Sequence, residues 1–140
     1  MKYLYSWDPA TGVAECTIQD KGLSFTGVAH CHPDDEDFSS ERTGCYIAET
    51  RAGITRMRHI RDHQLRPQLK ALKNFYNNLK GRKYYNPEHP VINILIKEIN
   101  DIANEIEALN QDIKLEQQYL ADYIANKDII YKKLRKANNQ

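Results

Sequence analysis

The sequence predicts an α+β protein: a small antiparallel three-stranded β-meander covered by a helix, followed by long coiled-coil-forming helices. Three observations carry this. Apolar and polar residues alternate with period two across the first thirty positions, between segments rich in turn residues. The period changes to the helical 3.6 at Glu41. From Val91 to the end of the 140-residue chain there is neither glycine nor proline, and apolar residues recur every three or four positions.

The first strand is the β-favouring run Tyr3, Leu4, Tyr5 and Trp7, ended by Asp8-Pro9-Ala10-Thr11-Gly12, where proline presets one turn dihedral and glycine admits another. In the second, Val13, Glu15 and Thr17 alternate with Ala14, Cys16 and Ile18. Asp20-Lys21-Gly22 is a tight hairpin signal. The third strand alternates Leu23, Phe25, Gly27 and Ala29 with Ser24, Thr26, Val28 and His30. Strands with links this short pair as antiparallel neighbours. So small a sheet needs a cover on one face to be stable in water.

The cover is the segment after the acidic loop His30–Ser40, whose serines suit a helix N-cap. Cys45, Ala48 and Ala52 form a narrow small-residue stripe able to lie flat on a sheet, and Ile47, Ile54, Met57, Ile60 and Leu65 add a second apolar edge. Pro67 lacks an amide hydrogen and restricts Arg66, which predicts a kink or break. Leu69, Leu72, Tyr76 and Leu79 restore the period until Gly81, and the two prolines of Tyr84–Pro90 mark a connector. In the last segment Ile92, Leu95, Ile99, Ile102, Ile106, Leu109 and Ile113 form the a/d seam of a coiled coil. Glu116 interrupts it, and Leu120, Tyr123 or Ile124, Ile130 and Leu134 resume it less regularly. At ~1.5 Å per residue an unbroken helix here reaches roughly 70 Å, far beyond the ~30 Å breadth of one small domain, so it must fold back, meet another subunit, or both. The expected organisation is a meander with its covering helix over residues 1–66 and a helical oligomerisation hairpin over 67–140, joined in one compact unit.

Composition narrows the function classes. The net charge is only +1, and no apolar run approaches membrane length, since Val91–Ile96 is short and interrupted by Asn93. The start MKYLYSWDP has no signal-peptide core, and three cysteines without CxxC spacing fit a reduced compartment. A cytoplasmic protein without membrane partners is expected. The charge is segregated, however. Residues 1–40 carry two basic and seven acidic side chains, residues 41–83 eleven basic and three acidic, and residues 84–140 seven basic and nine acidic. The middle third is therefore the basic one.

Within it, Arg51, Arg56, Arg58, Arg61 and Arg66 fall on one helical stretch, with Arg51, Arg58 and Arg61 on one face. Guanidinium is a planar fork matched to phosphate oxygens, so the row suits a phosphate-bearing ligand. The bland alternative is a solvated face neutralised by neighbouring acids, Asp62 among them. Two rivals share the basic face: a protein–protein inhibitor or scaffold docking on an acidic partner, and a nucleic-acid binder. The second lacks any RNP, KH, zinc-finger or basic-zipper signature.

His30, Cys31, His32, Asp34, Asp35 and Asp37 lie in one eight-residue stretch with no second pair to complete a tetrahedral zinc site and no glycine for a calcium loop. Neither a metal nor another cofactor is expected. No nucleophile elbow, P-loop or dinucleotide fingerprint occurs. A binding protein, not an enzyme, is the expectation.

One stretch carries a family likeness. Phe25-x-Gly27-x-Ala29-x-x-His32-Pro33-Asp34-Asp35-x-Asp37-x-x-Ser40-Glu41-x-Thr43-Gly44, followed by Ile47-Ala48-Glu49-x-Arg51-Ala52, resembles small proteins from phages of Gram-positive bacteria, and is similar to the phage Thoeris anti-defence protein 1 family. The likeness covers about residues 20–60. It implies a phage-encoded immune-evasion protein that sequesters a cyclic nucleotide defence signal, a cyclic ADP-ribose isomer and in some members cyclic oligonucleotides, without cleaving it. It further implies action in the cytoplasm of the infected cell and homo-oligomers, dimers or hexamers, assembled through helices. Carried onto this sequence, the phosphate ligands are Arg51 and Arg58, with Arg42, Tyr46 and Thr43 as neighbours near a helix start where backbone N–H groups favour anions. An adenine needs an aromatic flank, for which Phe25, Tyr84 and Tyr85 are the candidates.

Overall fold

A computed structural model describes residues 1–31 and 40–139. It is an α+β fold. Strands β1 (Lys2–Asp8), β2 (Val13–Asp20) and β3 (Leu23–His30) form one antiparallel sheet in the order β1-β2-β3. Helix α1 (Glu41–His59) continues through a π-helical segment (Ile60–Leu65) into α2 (Arg66–Lys80). A connector then leads to α3 (Pro90–Asn138), a single uninterrupted helix. No helix among the described residues is long and apolar enough to cross a membrane.

Turn chemistry sets the register. The Asp8 carboxylate accepts the Ala10 N–H at 2.9 Å, its carbonyl accepts the Gly12 N–H at 2.8 Å, and Gly12 sits at φ +68°. Lys21 and Gly22 both take positive φ, 50° and 79°, as a two-residue hairpin with right-handed strand twist requires. These turns place Cys16 opposite Tyr5 and Gly27, and Ile18 opposite Tyr3 and Phe25.

Contacts divide the chain into two compact units, residues 1–56 with 114–140 and residues 57–113. In the first, the period-2 pattern buries Ala14, Cys16, Ile18, Phe25, Gly27 and Ala29 on one sheet face, and α1 lies on it through Ile47, Ala48, Ala52 and Ile54. The helix approaches β3 so closely that a methyl group on Gly27 would strike the Ala48 carbonyl and the Ala52 amide. Gly44 serves the same purpose against Ala14 and Trp7. Ser40 caps α1, its hydroxyl accepting the Thr43 N–H at 3.1 Å.

The second unit holds the segment around Pro67. The chain does not break there. It widens into the π segment, whose exit is marked by the Arg66 N–H donating to the Arg61 carbonyl, and α2 then starts with Pro67 in its first turn, where the missing donor is not needed. Helix α2 ends at Lys80 with Gly81 in a right-handed conformation, φ −78°.

Along α3, the seam residues Ile92, Leu95, Ile102, Ile106, Ile113 and Leu120 are buried within the chain, and Ile99 and Leu109 are half-buried. The period read from the sequence is therefore used inside the protomer. The seam is not kept to the end of the helix: Ile130 and Leu134, read as its continuation, are exposed, as are Leu115, Tyr119 and Ile129.

Candidate functional site

The arginine row is largely committed to internal partners. Arg51 Nη1 donates to the Val28 carbonyl at 2.7 Å, fastening α1 to β3. Arg56 grips Asp20 Oδ2 through Nε at 3.2 Å and Nη2 at 2.8 Å. Arg61 makes a forked contact with Asp62, 2.8 and 3.1 Å, and reaches Asn110 Oδ1 at 3.0 Å. Arg66 Nη1 meets the same Asp62 at 2.7 Å. Hydrogen bonding from Arg61 holds the Asp62 carboxyl below its ordinary range, and Asp62 in turn raises the Arg61 guanidinium. Arg58 is exposed, with no partner among the described residues.

The remaining residues expected at the site are distributed along α1. Arg42 is exposed. The Thr43 hydroxyl accepts from the Ser40 hydroxyl at 2.8 Å, inside the helix cap. The Tyr46 ring packs on Tyr123 with centroids 4.6 Å apart. Phe25 is buried in the sheet core. Thr43 also lines a small cleft with Trp7, Gly44, Lys127 and Tyr131, but its free volume of about 30 Å³ admits only a water-sized guest. His32, Asp34, Asp35 and Asp37 lie outside the described residues; among the described ones, no three His, Cys, Asp or Glu side chains group as a metal site. Burial pushes the Cys16 and Cys45 thiols up, away from the reactive thiolate.

A much larger cleft, about 550 Å³, opens at the connector between α2 and α3. Leu79, Val91 and Ile92 give it an apolar floor; Arg82, Lys83, Tyr84, Tyr85, Asn86 and His89 supply rings and polar groups. Successive turns build it: the Arg82 N–H donates to the Leu79 carbonyl at 3.1 Å, Tyr85 to Arg82 at 3.2 Å, and His89 to Asn86 at 3.2 Å. The Asn86 side chain accepts the Glu88 N–H at 3.0 Å, an Asx turn that steadies the bend. His89 Nδ1 accepts the Val91 N–H at 3.2 Å, so in the neutral imidazole the proton sits on Nε2.

Two cations and two tyrosines thus share one concavity. Lys83 Nζ lies 5.5 Å from the Tyr84 ring centre, and that ring is 88% exposed. Interaction with the Tyr76 side chain raises the Tyr85 phenol above its ordinary value, and Lys80 Nζ lies 4.7 Å from the Tyr76 ring centre. Val91 and Ile92 bring the cleft to the first turn of α3, the positive end of that helix. The arrangement offers fixed positive charge for phosphate, ring faces for a base, and donors from Asn86 and His89 for sugar or base edges.

The sequence offers Tyr84 and Tyr85 as aromatic flanks in a connector but does not single out Arg82, Lys83, Asn86 and His89, which line the same cleft. The available signal was two cations followed by two aromatics at a turn. Compared with protein-family models, curated proteins and solved structures, the chain matches none.

Proposed function

We propose that this protein binds and sequesters a small phosphate-bearing nucleotide in the connector cleft, the ligand being a cyclic nucleotide defence signal such as a cyclic ADP-ribose isomer. The carrying observation is the convergence of Arg82, Lys83, Tyr84 and Tyr85 on a cleft of about 550 Å³, within the usual size range of small-molecule sites. Arg82 and Lys83 are assigned to the pyrophosphate and the tyrosine rings to the adenine. The motif likeness over residues 20–60 supports the choice of ligand, and retention without cleavage is part of the same reading. The setting is the cytoplasm of an infected bacterial cell, where such a signal is made.

In this reading the α1 residues Arg51, Thr43 and Tyr46 keep the sheet unit in shape, while exposed Arg42 and Arg58 stand outside the cleft lining. The aspartate partners of Arg56, Arg61 and Arg66 weigh against a basic-helix docking surface or a nucleic-acid groove. Helix-mediated assembly of copies, which the likeness implies, has candidate contacts in exposed Ile129, Ile130 and Leu134 of α3.

Calorimetric titration with a cyclic ADP-ribose isomer, followed by heat denaturation and chromatography of the released ligand, tests the reading. Saturable binding with the ligand recovered intact supports sequestration. Recovery of a linear product would make the protein an enzyme, and no heat of binding across a cyclic-nucleotide panel would remove the nucleotide.

A further inference from the structure

Two strands border the sheet, and they are treated differently. On β3 the Val28 carbonyl is taken by Arg51 Nη1 and the buried face is roofed by α1. On β1 the seven residues are exposed except for half-buried Trp7, with Tyr3 40%, Leu4 41% and Tyr5 50% accessible. Among the described residues, the strand order leaves the outer backbone row of β1 without a neighbouring strand. Tyr3, Tyr5 and Trp7 stand opposite Ile18, Cys16 and Ala14, so their rings share the core-side face, and Tyr3 and Tyr5 stack with centroids 6.4 Å apart and planes 12° from parallel. A regular edge strand without proline or an inward charge is a template for pairing.

The strand is also complementary to itself. Lys2 begins it and Asp8 ends it. Antiparallel pairing with a second copy about a two-fold axis through Tyr5 overlaps all seven residues and sets Lys2 opposite Asp8 at both ends. The same register puts Tyr3 opposite Trp7, Leu4 opposite Ser6 and Tyr5 opposite its own copy, joining the aromatic faces into one strip. Moving the axis by one residue, to Leu4, leaves Asp8 beyond the overlap and Lys2 opposite Ser6, so the charges choose the register.

We propose that β1 is an isologous docking edge for a second copy of this chain, giving a continuous six-stranded sheet in which Tyr5 meets Tyr5 at the two-fold axis and Lys2 pairs with Asp8 across it. The occupant is a second copy because the ends carry opposite charges and the strand pairs over its full length only in that register. This edge lies in the sheet unit and does not depend on what the connector cleft binds.

Cysteine placement tests it. Directly opposed antiparallel residues are about 4.5–5.5 Å apart at Cα, within disulfide reach, whereas positions offset by two residues lie beyond it. In the full-length chain carrying Cys16→Ala, which removes the thiol directly opposite position 5 within the same sheet, Tyr5→Cys under mild oxidation is expected to give a covalent dimer whose peptide map shows a 5–5 linkage, and Leu4→Cys none. A separate variant with native cysteines only, Lys2→Glu, sets like charges against Asp8 at both ends and is expected to raise the dimer dissociation constant about tenfold by sedimentation. Equal cross-linking at positions 4 and 5, no 5–5 linkage, or a Lys2→Glu chain that associates like the wild type would each overturn the proposal.

Discussion

Asp20, the last residue of β2, and Arg56, near the end of α1, are joined by two hydrogen bonds to one carboxylate oxygen, 3.2 Å from Nε and 2.8 Å from Nη2. The bonds tie the hairpin to the covering helix across 36 residues of sequence. Chiefly through this hydrogen bond, Arg56 holds the Asp20 carboxyl below its ordinary value. A depressed carboxyl stabilises the fold when ionised, so the contribution is present above the unfolded value of about 3.9 and is lost as pH falls further. Thermal midpoints of wild type and Asp20→Asn are therefore expected to differ at neutral pH and to draw together as pH falls below the ordinary carboxylate value of about 3.9. A constant gap across that range would show that the pair is not the cause.

Gly27 and Gly53 make opposite predictions for the same substitution. A Cβ at Gly27 would collide with the α1 backbone at Ala48 and Ala52, whereas one at Gly53 meets nothing within 4 Å. Gly27→Ala is expected to destabilise by about 1–3 kcal/mol or more through forced separation of helix and sheet. Gly53→Ala, within a helix, is expected to stabilise by about 0.5–1 kcal/mol. Urea denaturation of the two variants checks both signs.

Tyr5 titrates late. Partial desolvation, with the Glu49 carboxylate next in importance, pushes its phenol up to about 12. A raised phenol favours the folded state while neutral, so stability is unaffected below the ordinary value near 10 and declines as pH rises from there toward 12. In a phenolate absorbance titration, Tyr5→Phe is expected to remove the last-titrating component, and Glu49→Gln to move it to lower pH. An unchanged upper limb in both variants would contradict the geometry.

The strands and α1 were legible because local rules decide them. Alternation in Ala14, Cys16 and Ile18, positive-φ turns at Gly12 and Lys21-Gly22, and the Ser40 cap act over a few residues. The path through Pro67 was legible only as an interruption. Whether a helix breaks or widens there depends on tertiary partners such as Asn110, which receives Arg61 from 49 residues away. The arginine row shows the same limit more strongly. Spacing revealed a common face, but the partner that engages Arg56 sits at a hairpin far back in the chain. The connector cleft was hidden for a related reason: prolines and asparagine signal that the chain bends, while the convergence of Arg82 and Tyr85 depends on how successive turns stack.

The most direct test of the central claim compares cyclic ADP-ribose isomer binding by calorimetry in wild type, Arg82→Glu/Lys83→Glu and Arg58→Glu. Losing two charge-assisted phosphate contacts at the connector is expected to weaken binding about 100-fold or more, while Arg58→Glu stays within a few-fold of wild type. Wild-type affinity in the double variant, or a loss at Arg58 equal to that at the connector, would contradict the assignment of the nucleotide to this cleft.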